Sequence, residues 1–90
     1  MILPIKKKWF EMIKSGIKKE EYREIKPYYD VRFENLFKDE YRAIVTFRNG
    51  YSSNAPQIDC LVSLRVGKGK PEWGAEPNKN YYILDILMIY

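Results

Sequence analysis

Lys18, Glu21 and Arg23 are the residues whose types and spacing offer chemistry. Glu21 and Arg23 stand two apart, so on an extended strand they share a face, where a guanidinium fork holds a carboxylate or a ligand phosphate. Lys18 comes just after Gly16, at the mouth of the same strand, where a loop or bulge turns its amine toward the pair. Beside an aromatic wall and partly desolvated, that amine loses basicity and becomes a proton-transfer group; in water it stays an ammonium. The same residues make a surface salt-bridge ladder if the strand is solvated, and the sequence leaves both readings open. A second group joins Arg48, Asn49 and Tyr51 at a β-turn to Trp73 and Glu76 in a glycine-rich loop. Tyr51 and Trp73 suit stacking on a base while Arg48 or Asn49 bonds its edge or phosphate; a lid on the hydrophobic core is the alternative role for Trp73.

Much other chemistry is missing. The chain has no His and a single cysteine, Cys60, which removes the commonest neutral-pH base, His-containing metal sites, internal disulfides and thiolate clusters. Without a His to activate it, Cys60 reads as a small core residue. Gly67, Lys68, Gly69 and Lys70 are too few for a P-loop and lead into Pro71, so they form a flexible turn or an anion-binding nest. The acidic residues lack a calcium-loop spacing, and neither metal nor other cofactor is expected. The apolar start precedes Lys6, Lys7 and Lys8, the reverse of a secretory signal, and no run is long enough to span a bilayer. These features predict a soluble cytoplasmic protein with no membrane partner, a monomer or small homo-oligomer.

Net charge is +4 with a pI near 9.2, compatible with a polyanionic partner. Lys6, Lys7, Lys8, Lys14, Lys18 and Lys19 crowd the amino-terminal segment against Glu11 alone, as a phosphate-facing patch or a solvated lysine face.

The elements that must position these residues follow from periodicity. Ninety residues hold one domain, 1–90, and 16% aromatics supply a small core with some left for a binding surface. Ile2 to Ile5 reads as an edge strand because of Pro4. A short helix follows, with Ile5, Trp9, Met12 and Ile13 on one side and a stop at Ser15 and Gly16. The charged alternation from Lys18 to Ile25 is a strand that is either a solvated edge or the wall of a polar cleft. Pro27 opens a second helix with the apolar set Tyr29, Phe33, Leu36 and Phe37. Ala43, Val45 and Phe47 mark a strand ending at the Asn49-Gly50 turn signal. Ile58, Cys60, Val62, Leu64 and Val66 form one inward row, and Tyr82, Leu84, Ile86 and Met88 another, with a loop over residues 67–77 between them. Late strands without intervening helices predict an α+β fold, a small mixed, partly closed β-barrel of about five or six strands with two short helices.

Three stretches carry a family resemblance. Gly16, Lys18 and the Glu21-Tyr22-Arg23 step after a basic-aromatic helix are similar to the glycine, lysine and Glu-x-Arg pattern of the ASCH domain family, one of the PUA-like β-barrels. Tyr22 to Tyr29, Phe47 to Tyr51 and Glu72 to Pro77 resemble its compact bacterial and phage members, so that the likeness spans nearly all of the chain. The resemblance implies a PUA-like barrel whose cleft, beneath the first helix and lined by Lys18 and the Glu21-to-Arg23 strand, binds RNA or a modified nucleoside or nucleotide; with the turn and loop group, the candidate binding residues are Lys18, Lys19, Glu21, Arg23, Arg48, Asn49, Tyr51 and Trp73. Some members hydrolyse the amide of acetylated cytidine or cleave RNA. In the amidohydrolase branch Lys18 matches the acid-base or nucleophilic lysine, Glu21 stands where that branch has a threonine, and Glu72 or Glu76 matches its later glutamate. A metal-independent hydrolase using Lys18, Glu21 and Glu76 is therefore the alternative to a binding protein, and a protein-interaction module is a third reading.

Overall fold

The computed structural model describes residues 1–90. In chain order it contains β1 (Ile2–Ile5), α1 (Lys7–Lys14), β2 (Glu20–Arg23), α2 (Pro27–Leu36), β3 (Arg42–Asn49), β4 (Gln57–Lys68), a 3-10 helix (Pro71–Trp73) and β5 (Asn80–Ile89). All strands join one sheet in the order β1-β3-β4-β5-β2. β1 lies parallel to β3, and every other pairing is antiparallel. The sheet curls into a half-barrel, so the α+β, partly closed form expected from the strand pattern is the fold observed. β1 and β2 are its free edges, which suits Pro4, a residue with no amide hydrogen to give a second neighbour. No helix is long and apolar enough to cross a membrane.

Helices fill the concave side. α1 is too short to persist in water unaided, and it is held by burying Phe10 and Ile13 among Val45, Phe47, Cys60 and Val62, with Trp9 at the margin. The expected stripe began at Ile5, but Ile5 belongs to β1; the helix starts later and Phe10, 1% exposed, takes the central place. α2 opens with Pro27 and buries Phe33, which stacks on Tyr29 with centroids 5.4 Å apart and meets Tyr82 edge-on at 5.2 Å. Ile58, Cys60, Val62 and Leu64 face this core as expected. Val66 does not: it is exposed, toward the carboxyl end of β4.

Two other expectations are corrected. The register between β4 and β5 runs Leu61↔Met88 and then Val62↔Ile86, so Leu87 is an extra residue that breaks the alternation and turns Met88 away from the core. Residues 67–77 are not one loop, since β4 continues through Lys68 before the 3-10 helix. That helix covers the other side of β2 and β5, where Tyr22, Ala75, Tyr81 and Ile83 form a second apolar cluster with Trp73 packed against it. The Tyr22 hydroxyl accepts from the Lys70 N–H at 2.9 Å and donates to Glu20 Oε1 at 2.8 Å, and the Tyr81 hydroxyl accepts from the Glu76 N–H at 3.0 Å. On the convex face Ile44, Leu61 and Met88 stand in register across three strands, with Ile44 and Met88 exposed.

Candidate functional site

Lys18 reaches its place through the end of α1. Gly16 adopts φ 84°, a conformation that costs a side-chain-bearing residue energy, and its N–H donates to Ile13 O at 3.0 Å while the Lys18 N–H donates to Met12 O at 2.9 Å. The chain is thereby folded back beneath the helix it has just left. β2 then runs antiparallel to β5 from Glu20↔Asp85 to Arg23↔Tyr82. Alternation places Glu20 and Tyr22 toward the second cluster and Glu21 and Arg23 toward the first helix.

The result is a buried charge triad. Lys18 is 2% exposed and Glu21 4%. Lys18 Nζ lies 3.1 Å from Glu21 Oε1, and Arg23 Nη1 lies 3.1 Å from Glu21 Oε2, so the carboxylate is divided between two cations. The ammonium also donates to the Trp73 carbonyl and stands 4.5 Å from the Trp9 ring centroid and 5.1 Å from that of Tyr22. Arg23 Nη2 donates to Pro4 O at 3.0 Å, whereas Arg23 Nε is buried with no hydrogen-bond partner. Burial holds the Lys18 pKa below its ordinary value; the Glu21 carboxylate opposes that shift, and the Arg23 charge adds to it.

Above the triad opens a cleft of about 620 Å³ bounded by the end of β1, the start of α1, β2, the start of α2 and the 3-10 helix. Of the residues singled out from sequence, Lys18, Glu21, Arg23, Asn49, Tyr51, Trp73 and Glu76 line it together. Lys19 does not: its side chain is exposed outside the cleft, and its carbonyl accepts from the Ile86 N–H at 2.9 Å. Arg48 does not either. It alternates with buried Phe47, so it lies on the convex face and its Nε donates to Gln57 Oε1 at 3.2 Å. Glu72 is exposed and outside the lining, which leaves Glu76 as the later glutamate at the cleft. Gly67 and Lys68 end β4 rather than forming a turn, and Gly69 is packed so closely that a Cβ there would fall 2.6 Å from the Tyr22 ring.

Sequence reasoning missed Trp9, Lys26, Tyr29 and Lys79 as lining residues. Trp9 and Tyr29 belong to apolar helix stripes, and both pack at the margin of the core while also lining the cleft. Lys26 carried one local signal, its position just before the Pro27 that opens a helix. Lys79 carried none, because its place depends on the long-range pairing of β5 with β2.

The arrangement suits binding more directly than proton transfer. Aromatic side chains from both helices, the loop after β3 and the 3-10 helix provide flat apolar surface, and the triad supplies a floor of fixed donors and acceptors. Comparison with protein-family models, with curated proteins and with solved structures finds no match to this chain.

Proposed function

We propose that the protein binds a nucleobase-bearing ligand, as a modified nucleoside, a nucleotide or an unpaired base of RNA, in the cleft above Lys18. The observation that carries this reading is the meeting of Trp9, Tyr29, Tyr51 and Trp73 with the Lys18, Glu21 and Arg23 triad in a single cleft of about 620 Å³. A base offers a flat π-face and an edge of mixed donors and acceptors; the aromatic walls complement the first and the charged floor the second. The volume lies in the usual range of small-molecule sites, about 300–1,000 Å³. The sequence resemblance to the ASCH family, with its lysine and Glu-x-Arg strand in a PUA-like barrel, supports the same ligand class.

In this reading Lys18 acts as a fixed cation. An ammonium neither attacks a carbonyl nor removes a proton, and Glu21 together with the Trp73 carbonyl favours the ammonium. The lowered pKa is the one observation that favours the hydrolase alternative. Turnover separates the two: the native protein is expected to bind and not to deacetylate acetylated cytidine efficiently. Efficient turnover that disappears in Lys18→Ala would make the hydrolase reading primary.

Binding is tested by titrating the four nucleosides and a short single-stranded RNA, followed by tryptophan fluorescence and calorimetry. Tyr51 is 90% exposed, so Tyr51→Ala leaves thermal unfolding unchanged while removing a stacking surface. Its expected cost is about 1–3 kcal/mol of binding. Saturable binding weakened by this variant supports the reading, and no binding of any nucleoside or of the RNA overturns it.

A further inference from the structure

The cleft opens where the half-barrel fails to close. β1 and β2 are the two free edges of the sheet, and the bond across the gap between them is the one Arg23 Nη2 donates to Pro4 O at 3.0 Å. A helix starts just beyond each of these anchoring residues. Lys6 is the N-cap residue of α1 and Lys26 that of α2, and both line the cleft, as does Lys7.

The charges of this cleft do not balance. Its carboxylates are all answered from within the protein: Glu21 by Lys18 and Arg23 at 3.1 Å each, Glu24 and Glu76 by Lys79 at 3.6 Å each. Lys6, Lys7 and Lys26 have no carboxylate within ion-pair distance, and all three are exposed. Arg23 leaves its buried Nε without an acceptor at the same gap. Donor capacity is in surplus at the start of α1 as well, since it is not capped by a side chain and its first turn holds no acidic residue. A neutral ligand would leave this excess of positive charge and free donors unmatched.

We propose that the ligand of the cleft carries a phosphate, seated in the seam between β1 and β2 on Lys6, Lys7 and Lys26, with its base directed toward Lys18 and Glu21. The proposal rests on the base-binding reading above and narrows it to phosphorylated nucleosides. A phosphomonoester of a free nucleotide and a phosphodiester of RNA present the same oxygens to these lysines. The seat is local. Lys8 lies over the Trp9 ring at 4.7 Å outside the cleft, and Lys14 and Lys19 are exposed outside it too, so the amino-terminal lysines do not form one continuous track. One phosphate next to the base is therefore expected to supply the electrostatic part of binding.

The test compares each of the four nucleosides with its 5′- and 3′-monophosphate and with the corresponding dinucleotide, by calorimetry on the full chain at low and at physiological salt. One phosphate held by charge-assisted bonds is expected to tighten binding by about tenfold to a hundredfold over the nucleoside. That gain shrinks as salt rises, because the attraction between exposed lysines and a phosphate is screened. A variant carrying Lys6→Gln, Lys7→Gln and Lys26→Gln loses the gain and keeps the nucleoside affinity; none of the three side chains makes a cap bond or an ion pair, so folding is preserved and is checked by thermal unfolding. A monophosphate that equals the dinucleotide identifies a free nucleotide, and a dinucleotide that exceeds both monophosphates identifies RNA; either supports the seat. Nucleoside binding with no gain from phosphate, or a gain that survives the triple variant, overturns the seat and leaves the base-binding reading standing. No binding of any probe overturns both.

Discussion

Glu21 divides its carboxylate between Lys18 and Arg23, and that division determines how the triad responds to substitution. Glu21→Gln removes the only anion paired with these two cations and leaves them facing each other in a buried site. The expected cost is about 3–5 kcal/mol, the range for breaking a buried ion pair from one side. Replacing Lys18 with Met in the same chain removes the stranded ammonium, so the double variant is more stable than the sum of the single effects, and chemical denaturation of the four proteins measures the difference. Cys60 supplies a second test at this scale. Burial pushes its thiol up to about 11 from an ordinary 9, so the thiol form stabilises the fold fully below pH 9 and that stability is lost as pH rises through 11. Unfolding free energies of the native chain and of Cys60→Ala should converge by about 2–3 kcal/mol between pH 8 and pH 11. A constant gap between them would show that Cys60 ionises as freely when folded as when unfolded. Lys18, Glu21 and Arg23 were legible in the sequence because a strand fixes which residues share a face, and Gly16 marked the turn that admits Lys18. Lys19 and Arg48 lie outside the cleft for different reasons: Lys19 shares the parity of Glu21 and Arg23 but precedes β2, where strand alternation does not orient it, and Arg48 alternates with a buried Phe47.

Helix α1 and the 3-10 helix both hold Lys18 of the triad. The Lys18 ammonium lies over the Trp9 ring of the first and donates a hydrogen bond to the Trp73 carbonyl of the second. The approach of these elements is set at glycines: Gly74 has φ 104° and lies so close to Trp9 that a Cβ would come within 3.0 Å of the ring. Gly69 is tighter, because a Cβ there would meet Tyr22 at 2.6 Å and the Ala75 methyl at 2.7 Å. Gly69→Ala is thus expected to destabilise by about 1–3 kcal/mol through overpacking and to displace the 3-10 helix from Lys18. Nucleoside affinity should fall with it, and thermal unfolding together with a nucleoside titration checks both effects. Unchanged stability would mean that the turn yields more easily than its packing implies. At this scale the sequence displays elements better than their limits. The inward row of β4 was clear because Ile58, Cys60, Val62 and Leu64 are all apolar and Leu61 alone breaks the polar row between them. The bulge at Leu87 was invisible because an apolar run of Ile86, Leu87 and Met88 offers no residue whose polarity marks the slip.

For the whole molecule, the half-barrel has inner strands that are paired on both sides and outer ones that are not, and the cleft occupies the gap between the outer ones. The barrel class was readable, since strand-rich late sequence and two short amphipathic helices leave few other ways to bury one core. The seam was not, because it follows from β1 pairing with β3 and β2 with β5, contacts between distant segments that imprint no local pattern. This architecture predicts where the protein opens first. β2 has 4 residues and a single strand neighbour, whereas β4, with 12 residues, is bonded on both sides, so edge amides should exchange with solvent through openings that cost less than global unfolding. A ligand seated in the seam touches Pro4 and Ile5 at the end of β1 and Glu21 to Arg23 in β2, and it must stabilise the closed form over any form in which these edges have parted. At a free concentration of about a hundred times its Kd, that linkage raises the free energy of such openings by about 2.7 kcal/mol. Hydrogen exchange with and without a bound nucleotide should therefore show slower exchange concentrated in β1 and β2. Amides of β4 that exchange only by global unfolding are slowed as well, but those that open locally on the convex face are unchanged. If β2 amides already exchange at the global unfolding free energy without ligand, the seam does not open separately, and the cleft is a rigid seat.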